Sequence, residues 1–322
     1  MIRSPARVVN IVIAQRTFAV AVFTTHTGAM NERVLRTAYT LAKRANAELA
    51  VIEMSTEFEP ARGLLFKSDI EKMVDEMARD FSGTVLFRRL PLLPQTPYGE
   101  GKSVQNDAEA ATMVVTGVGQ MGVSMVVVGV NSNANPLGGI AGQLVALSDI
   151  PIVVVPANGV ELCEDPFHLV VAIDETPNVG SIAARISELH VWFDVTVSLL
   201  HVSQPGGGRI NGVSVLAHDR AAHQLQRCAS RLHDFGVDDT RIHTAVRTGP
   251  PPNVIVDQIR REHATLGVLP ETSSAGHHRR PNGVSNDVLI ESPVPILLFS
   301  TAGASDRGDE RQHLTTIQAV GR

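Results

Sequence analysis

Met125 to Pro156 reads MVVVGVNSNANPLGGIAGQLVALSDIPIVVVP, and few folds accommodate such a stretch. Val126-Val127-Val128 is continuously apolar, as a parallel strand covered on both faces requires. It ends at Gly129, where the chain can turn freely. Asn131 to Gly139 is rich in Asn, Gly and Pro and reads as loop. Ile140 to Ser148 has helical spacing in Leu144, Val145 and Leu147, and Ile152 to Val155 is the next strand. A strand, a small-residue loop and a helix N-terminus together present backbone N–H groups to a phosphate.

The pattern returns near the C-terminus. Leu266 to Leu269 reads as a strand, Thr272 to Gly283 as a polar loop, Asn286 to Ile290 as a short helix and Pro295 to Phe299 as a strand. Gly129 precedes Gly142 by 13 positions (142 less 129), and Pro270 precedes Gly283 by 13 (283 less 270). The chain therefore reads as two copies of one unit.

The rest of the sequence fits that reading. Phe18–Phe23, Glu48–Met54 and Thr84–Leu90 read as strands. Helices are expected over about Asn31–Ala45, within Leu64–Phe81 and over Val104–Val118. The Pro-rich Pro91–Gly101 is a long connection. In the second half, Leu169–Ile173, Val195–Val202 and Arg241–Val246 read as strands. Pro177–Val191, Val213–Phe235 and Asn253–His263 read as helices, with a Gly-rich loop from Gln204 to Gly212. Strands alternating with helices argue for an α/β fold of two doubly wound, mainly parallel-sheet domains. The expected divisions are a leader at 1–16, a first domain at 17–157, a linker at 158–166, a second domain at 167–301 and a disordered tail at 302–322.

Composition narrows the function. The 322 residues suit two ordinary domains, and 43% hydrophobic content supports real cores. A net charge of −5 gives no basic footprint for nucleic acid. No apolar run approaches a membrane span. Two cysteines, Cys163 and Cys228, suggest neither a disulfide framework nor a thiolate metal site, so a reduced compartment is expected. Val8–Ala14 is short and lacks a cleavage-like site, unlike a signal peptide. A cytoplasmic protein is the plain expectation.

Four local signatures resemble a tandem universal stress protein over about residues 17–300. They are Val170-Val171-Ala172-Ile173-Asp174, Leu199-Leu200-His201-Val202, Arg247-Thr248-Gly249-Pro250, and Ser292-Pro293-Val294-Pro295-Ile296-Leu297-Leu298. The resemblance implies an adenine nucleotide alpha hydrolase-like, Rossmann-like fold. It also implies that the halves pair through Ile152–Val155 and Ile296–Phe299. Nucleotide-binding members carry a Gly, two residues, a Gly, nine residues, then Gly and Ser or Thr. These groups hold ATP phosphates, and an Asp after strand one contacts the nucleoside end.

Both halves depart from that pattern. The first has Gly129, Ser132, Gly142 and Gln143, with Gly139 also in the loop and no carboxylate after strand one. The second has Pro270, Ser273, Gly283 and Val284, but keeps the acid as Asp174. The first half thus retains most of a phosphate loop and the second the acid. Gln143 can still donate a hydrogen bond. The alternative reading of the loop is a turn that binds nothing, and that of Asp174 is a helix cap. His201 reads as a structural histidine rather than a catalytic base, and His277–Arg280 as a solvated charge run rather than a phosphate-pairing cluster in place of the lost Gly contacts. No spacing of His, Cys or carboxylates resembles a metal site.

Gly117-Val118-Gly119-Gln120-Met121-Gly122 matches G-x-G-x-x-G. A dinucleotide fingerprint follows a strand and opens a helix. This one follows a helix and opens a strand, so it reads as a helix end with a glycine cap. The expected function is a non-catalytic binding or regulatory module in stress response, with weak or absent binding of ATP and its Mg²⁺. A homodimer is a further expectation, which no sequence feature carries. Two alternatives stay open: an ATP sensor with slow hydrolysis, and a nucleotide-dependent enzyme of a related α/β fold.

Overall fold

The computed structural model describes residues 19–24, 29–55, 69–91, 103–130, 135–160, 162, 167–174, 178–204, 211–271 and 283–301. The leader at 1–16, the tail at 302–322, most of Pro91–Gly101, and His277–Arg280 lie outside them.

The first half runs β1 (Ala19–Thr24), α1 (Ala29–Arg44), β2 (Glu48–Ser55), α2 (Asp69–Ala78), β3 (Val85–Pro91), α3 (Ser103–Gln120), β4 (Met125–Gly129), α4 (Gly139–Leu147) and β5 (Ile152–Val155). The second runs β6 (His168–Ala172), α5 (Val179–Phe193), β7 (Thr196–Ser203), α6 (Asn211–Asp234), β8 (Ile242–Thr248), α7 (Pro251–Arg261), β9 (Leu266–Glu271), α8 (Gly283–Glu291) and β10 (Ile296–Ser300). A 3₁₀ turn at Asp239–Arg241 leads into β8.

Among the described residues ten strands form one sheet in the order β3-β2-β1-β4-β5-β10-β9-β6-β7-β8. Pairing is parallel within each half. The halves meet where β5 and β10 run antiparallel, with Leu297 opposite Val153 and Ile296 opposite Val154. This is the pairing that the resemblance implied.

The apolar strands are apolar throughout because both faces are covered. On one face Val127, Val153, Val171 and Leu297 join α1, α2, α5 and α6 in one core; on the other Val126, Val154, Val170 and Leu298 join α3, α4, α7 and α8. Each core draws on both halves. Side chains add to the join. Arg44 on α1 donates to the Phe193 carbonyl at 3.3 Å, and its guanidinium lies 5.4 Å from the Phe167 ring centroid. Phe167 in turn stacks on Phe193 at 5.0 Å. Arg33 donates to the carbonyls of Ala157 and Gly159, fixing the segment that leaves β5.

Several boundaries differ from expectation. α6 begins at Asn211, which shortens the Gly-rich loop expected to reach Gly212. α7 begins at Pro251 rather than Asn253, because proline fits the first turn of a helix, where no intrahelical N–H bond is lost. α8 begins at Gly283, three residues before the expected Asn286. The G-x-G-x-x-G stretch is the end of α3. Gly122 takes φ +66°, and the Val123 N–H bonds the Val118 carbonyl at 3.4 Å while the Gly122 N–H bonds Gly119 at 3.4 Å. That is a Schellman cap, as the sequence reading required.

Candidate functional site

The strand order reverses between β1 and β4 and again between β6 and β9. Ligands of open α/β sheets bind at such points, beyond the carboxyl ends of the strands.

In the first half β4 ends at Gly129. A Cβ there would lie 2.7 Å from Val34 Cγ2 and 3.0 Å from Met30 Cγ, so the missing side chain lets α1 seat against the strand. Ser132 lies outside the described residues. Asn135-Pro136-Leu137-Gly138 is a tight turn closed by the Gly138 N–H on the Asn135 carbonyl at 2.9 Å. Asn first, Pro second and Gly fourth are the residues such turns favour. Gly138 is the N-cap of α4 and brings no side chain to the helix end; Gly139 follows at φ +69°. Gly142 is buried one turn later, under the Leu137 carbonyl, and Gln143 is half-buried.

In the second half the chain leaving β6 is held twice. The Ile173 N–H bonds the Leu200 carbonyl at 2.8 Å, and buried His201 donates from Nδ1 to the Ile173 carbonyl at 2.9 Å. Asp174 comes next. It is exposed, and its carbonyl accepts from Gln224 Nε2 at 2.9 Å. Across the crevice stands Glu271 at the end of β9, only 8% exposed. Asp174 and Glu271 each lie three residues past the paired Val171 and Val268. The Glu271 carboxylate accepts from the Ser285 hydroxyl in the first turn of α8. Ser273 lies outside the described residues.

The repeat register differs from the sequence reading. β4 and β9 start 141 positions apart (266 less 125), but α4 and α8 start 144 apart (283 less 139), as do β5 and β10 (296 less 152). The second loop is therefore three residues longer. A small hydrogen-bonded ring confirms the later offset. Ser148 Oγ donates to the Ile150 carbonyl at 3.1 Å and accepts its N–H at 3.0 Å; Ser292 does the same with Val294 at 2.7 and 3.2 Å. Gly283 thus corresponds to Gly139, not to Gly142. The residue at the position of Gly142 is Asn286, and Glu271 stands where the first half has Val130.

Reasoning from the sequence missed Glu271, Ser285 and Asn286. The signal was present in Ser148-x-Ile150-Pro151 and Ser292-x-Val294-Pro295, which repeat at 144 and expose the inserted residues. Among the described residues no group of three or more His, Cys, Asp and Glu gathers as a metal ion would need. Nor is any described helix long and apolar enough to cross a membrane.

No sequence-family profile and no curated protein sequence matches the chain. Solved structures do. A candidate universal stress protein from Pseudomonas aeruginosa is 12% identical, with a TM-score of 0.55 over 89% of this chain and 95% of that one. A protein of unknown function from the same species is 12% identical, with a TM-score of 0.56 over 89% and 94%. A universal stress protein from Archaeoglobus fulgidus is 15% identical, with a TM-score of 0.50 over 87% and 96%. At these identities the likeness is one of fold, and that fold is the α/β fold of universal stress proteins, present here in two copies joined through β5 and β10.

Proposed function

We propose that this chain is a cytoplasmic, non-catalytic binding and regulatory protein of the universal stress type. In this reading it takes an adenine nucleotide, with its Mg²⁺, weakly and in the first crevice alone. Residues 17–157 and 167–301 are its two units.

The unlike occupation of the two helix N-termini carries the reading. α4 opens on Gly138 and Gly139, with no side chain of its N-cap residue over the helix end. The partial positive charge of a helix N-terminus favours a phosphate there. Gln143 supplies an amide donor where the family pattern has a hydroxyl. At α8 the equivalent ground is held by the buried Glu271 carboxylate through Ser285. A phosphate entering there would compete for the helix end with a side chain already hydrogen-bonded in its first turn. Asp174 then stands beside a helix end that Glu271 and Ser285 already occupy. The loss of the second Gly and of the hydroxyl in the first loop keeps the affinity low, on the order of 1 mM.

The test is a calorimetric titration with ATP and Mg²⁺ of the wild type, Gln143→Glu and Asp174→Ala. One nucleotide per chain is expected, with binding weakened by Gln143→Glu and unchanged in Asp174→Ala. No heat at several millimolar ATP, or loss in Asp174→Ala alone, overturns the reading. Phosphate release no faster than in buffer separates it from a hydrolysing sensor.

A further inference from the structure

We infer that Asn286 in α8 is a positioning residue for the Asn135–Gly138 turn that precedes α4, so that the first crevice takes its binding shape only while the second half is docked against it. The inference rests on the nucleotide reading above, but its structural part can be judged without a ligand.

Leu137 is the third residue of the Asn135–Gly138 turn, and its N–H has no acceptor within the turn. It is 9% exposed, so water is not a ready partner. A buried backbone N–H must find an acceptor elsewhere. The acceptor is Asn286 Oδ1 at 3.2 Å, 149 residues away and in the other half of the chain. Immediately after Leu137 come Gly138 and Gly139, whose conformations set where the first N–H groups of α4 point. Holding Leu137 therefore holds the helix entrance.

The device works in one direction. Asn286 occupies the position that Gly142 occupies in the first half, and Gly142 has no side chain to offer in return. Nor could it acquire one, because the Leu137 carbonyl fills that space. The second half thus contributes a side chain to the first half's loop and receives none through the equivalent residue. A ligand that needs the ordered loop favours the docked arrangement of the halves, and loosening the join lowers its affinity by the same factor.

Amide hydrogen exchange on the full chain is the test, with Asn286→Leu to remove the acceptor and Asn286→Asp to keep one. In Asn286→Leu, exchange at Leu137 should rise ~10-fold or more while Leu297 in β10 keeps its protection. Asn286→Asp should leave Leu137 protected. In Asn286→Leu the affinity for ATP with Mg²⁺ should fall ~3- to 10-fold, the effect of losing one buried hydrogen bond's worth of ordering. Wild-type exchange at Leu137 in Asn286→Leu overturns the inference. So does equal loss of protection at Leu137 and Leu297, since that would mark a general weakening of the join. If the wild type gives no heat with ATP, the nucleotide reading fails, and exchange at Leu137 still decides whether Asn286 positions the loop.

Discussion

The carbonyl oxygen of Leu137 stands where a side chain at Gly142 would begin: a Cβ built there lies 1.8 Å from it. No rotamer relieves that contact, because both partners are backbone or fixed to it. Gly142→Ala should therefore cost about 1–3 kcal/mol or more, as overpacking does. Gly283 would meet nothing within 4 Å, so Gly283→Ala should stay within about 0.5 kcal/mol of wild type. Thermal unfolding of the two variants checks both the contact and the repeat register. Equal costs would restore the pairing of Gly142 with Gly283 and sink the 144-residue offset.

The glycines of the G-x-G-x-x-G stretch divide in the same way. Gly122 holds φ +66° with open space around it. A Cβ there meets no neighbour but raises the cost of the left-handed backbone, so Gly122→Ala should lose about 1 kcal/mol. Gly119 lies within α3, also in open space. Gly119→Ala should gain roughly 0.5–1 kcal/mol from helix propensity. A dinucleotide loop would instead respond to both changes in cofactor binding, and stability measurements with no added cofactor would then show no such opposite signs.

Much of this was legible before the structure. Val126–Val128 and Ile152–Val155 are apolar at every position, as strands covered on both faces are. The element order followed from that pattern, and the reading of Gly122 as a cap followed from what stands on each side of it. The site was less legible for a physical reason. Spacing counted along the chain assumes equal loops, and the second loop carries three extra residues. A residue such as Asn286 acts on a partner 149 positions away, and in the sequence only the repeat at 144 marks its place. Glu271 is a lone acid at the end of an apolar strand, and only the fold places Ser285 and the α8 N-terminus beside it.

Cys228 lies on α6 and is fully buried, and burial pushes its thiol up to about 12. The thiolate is the reactive form. At pH 8 a thiol reagent should therefore modify Cys228 only as fast as the chain opens, followed by site-resolved mass spectrometry. Modification within seconds in native buffer would show that α6 does not seal the residue.

Asp238 caps the 3₁₀ turn before β8. The Thr240 hydroxyl and backbone N–H donate to its carboxylate at 2.7 and 2.8 Å, and they hold its pKa below the ordinary carboxylate value. A depressed folded-state pKa means that the ionised form favours the fold. The contribution is complete above the ordinary Asp value and is lost as pH falls through the lowered one. Thr240→Val removes the larger of the two donors. A carboxyl titration followed by NMR should move upward in that variant; an unchanged midpoint would rule the hydroxyl out as the cause.

Leu297 and Val153 face each other across the only antiparallel strand pairing among the described residues, and both are fully buried. Their core continues without a break from α1 and α2 to α5 and α6. A chain built this way has no apolar boundary at which one half could melt alone. Leu297→Ala should cost about 2–5 kcal/mol, the usual range for emptying a buried leucine site. The loss should appear in one cooperative transition, with β1 and β6 amides losing protection together although they belong to different halves. Two separated transitions by calorimetry, or loss of protection confined to the second half, would show that the halves fold as independent units and that the β5–β10 pairing merely docks them.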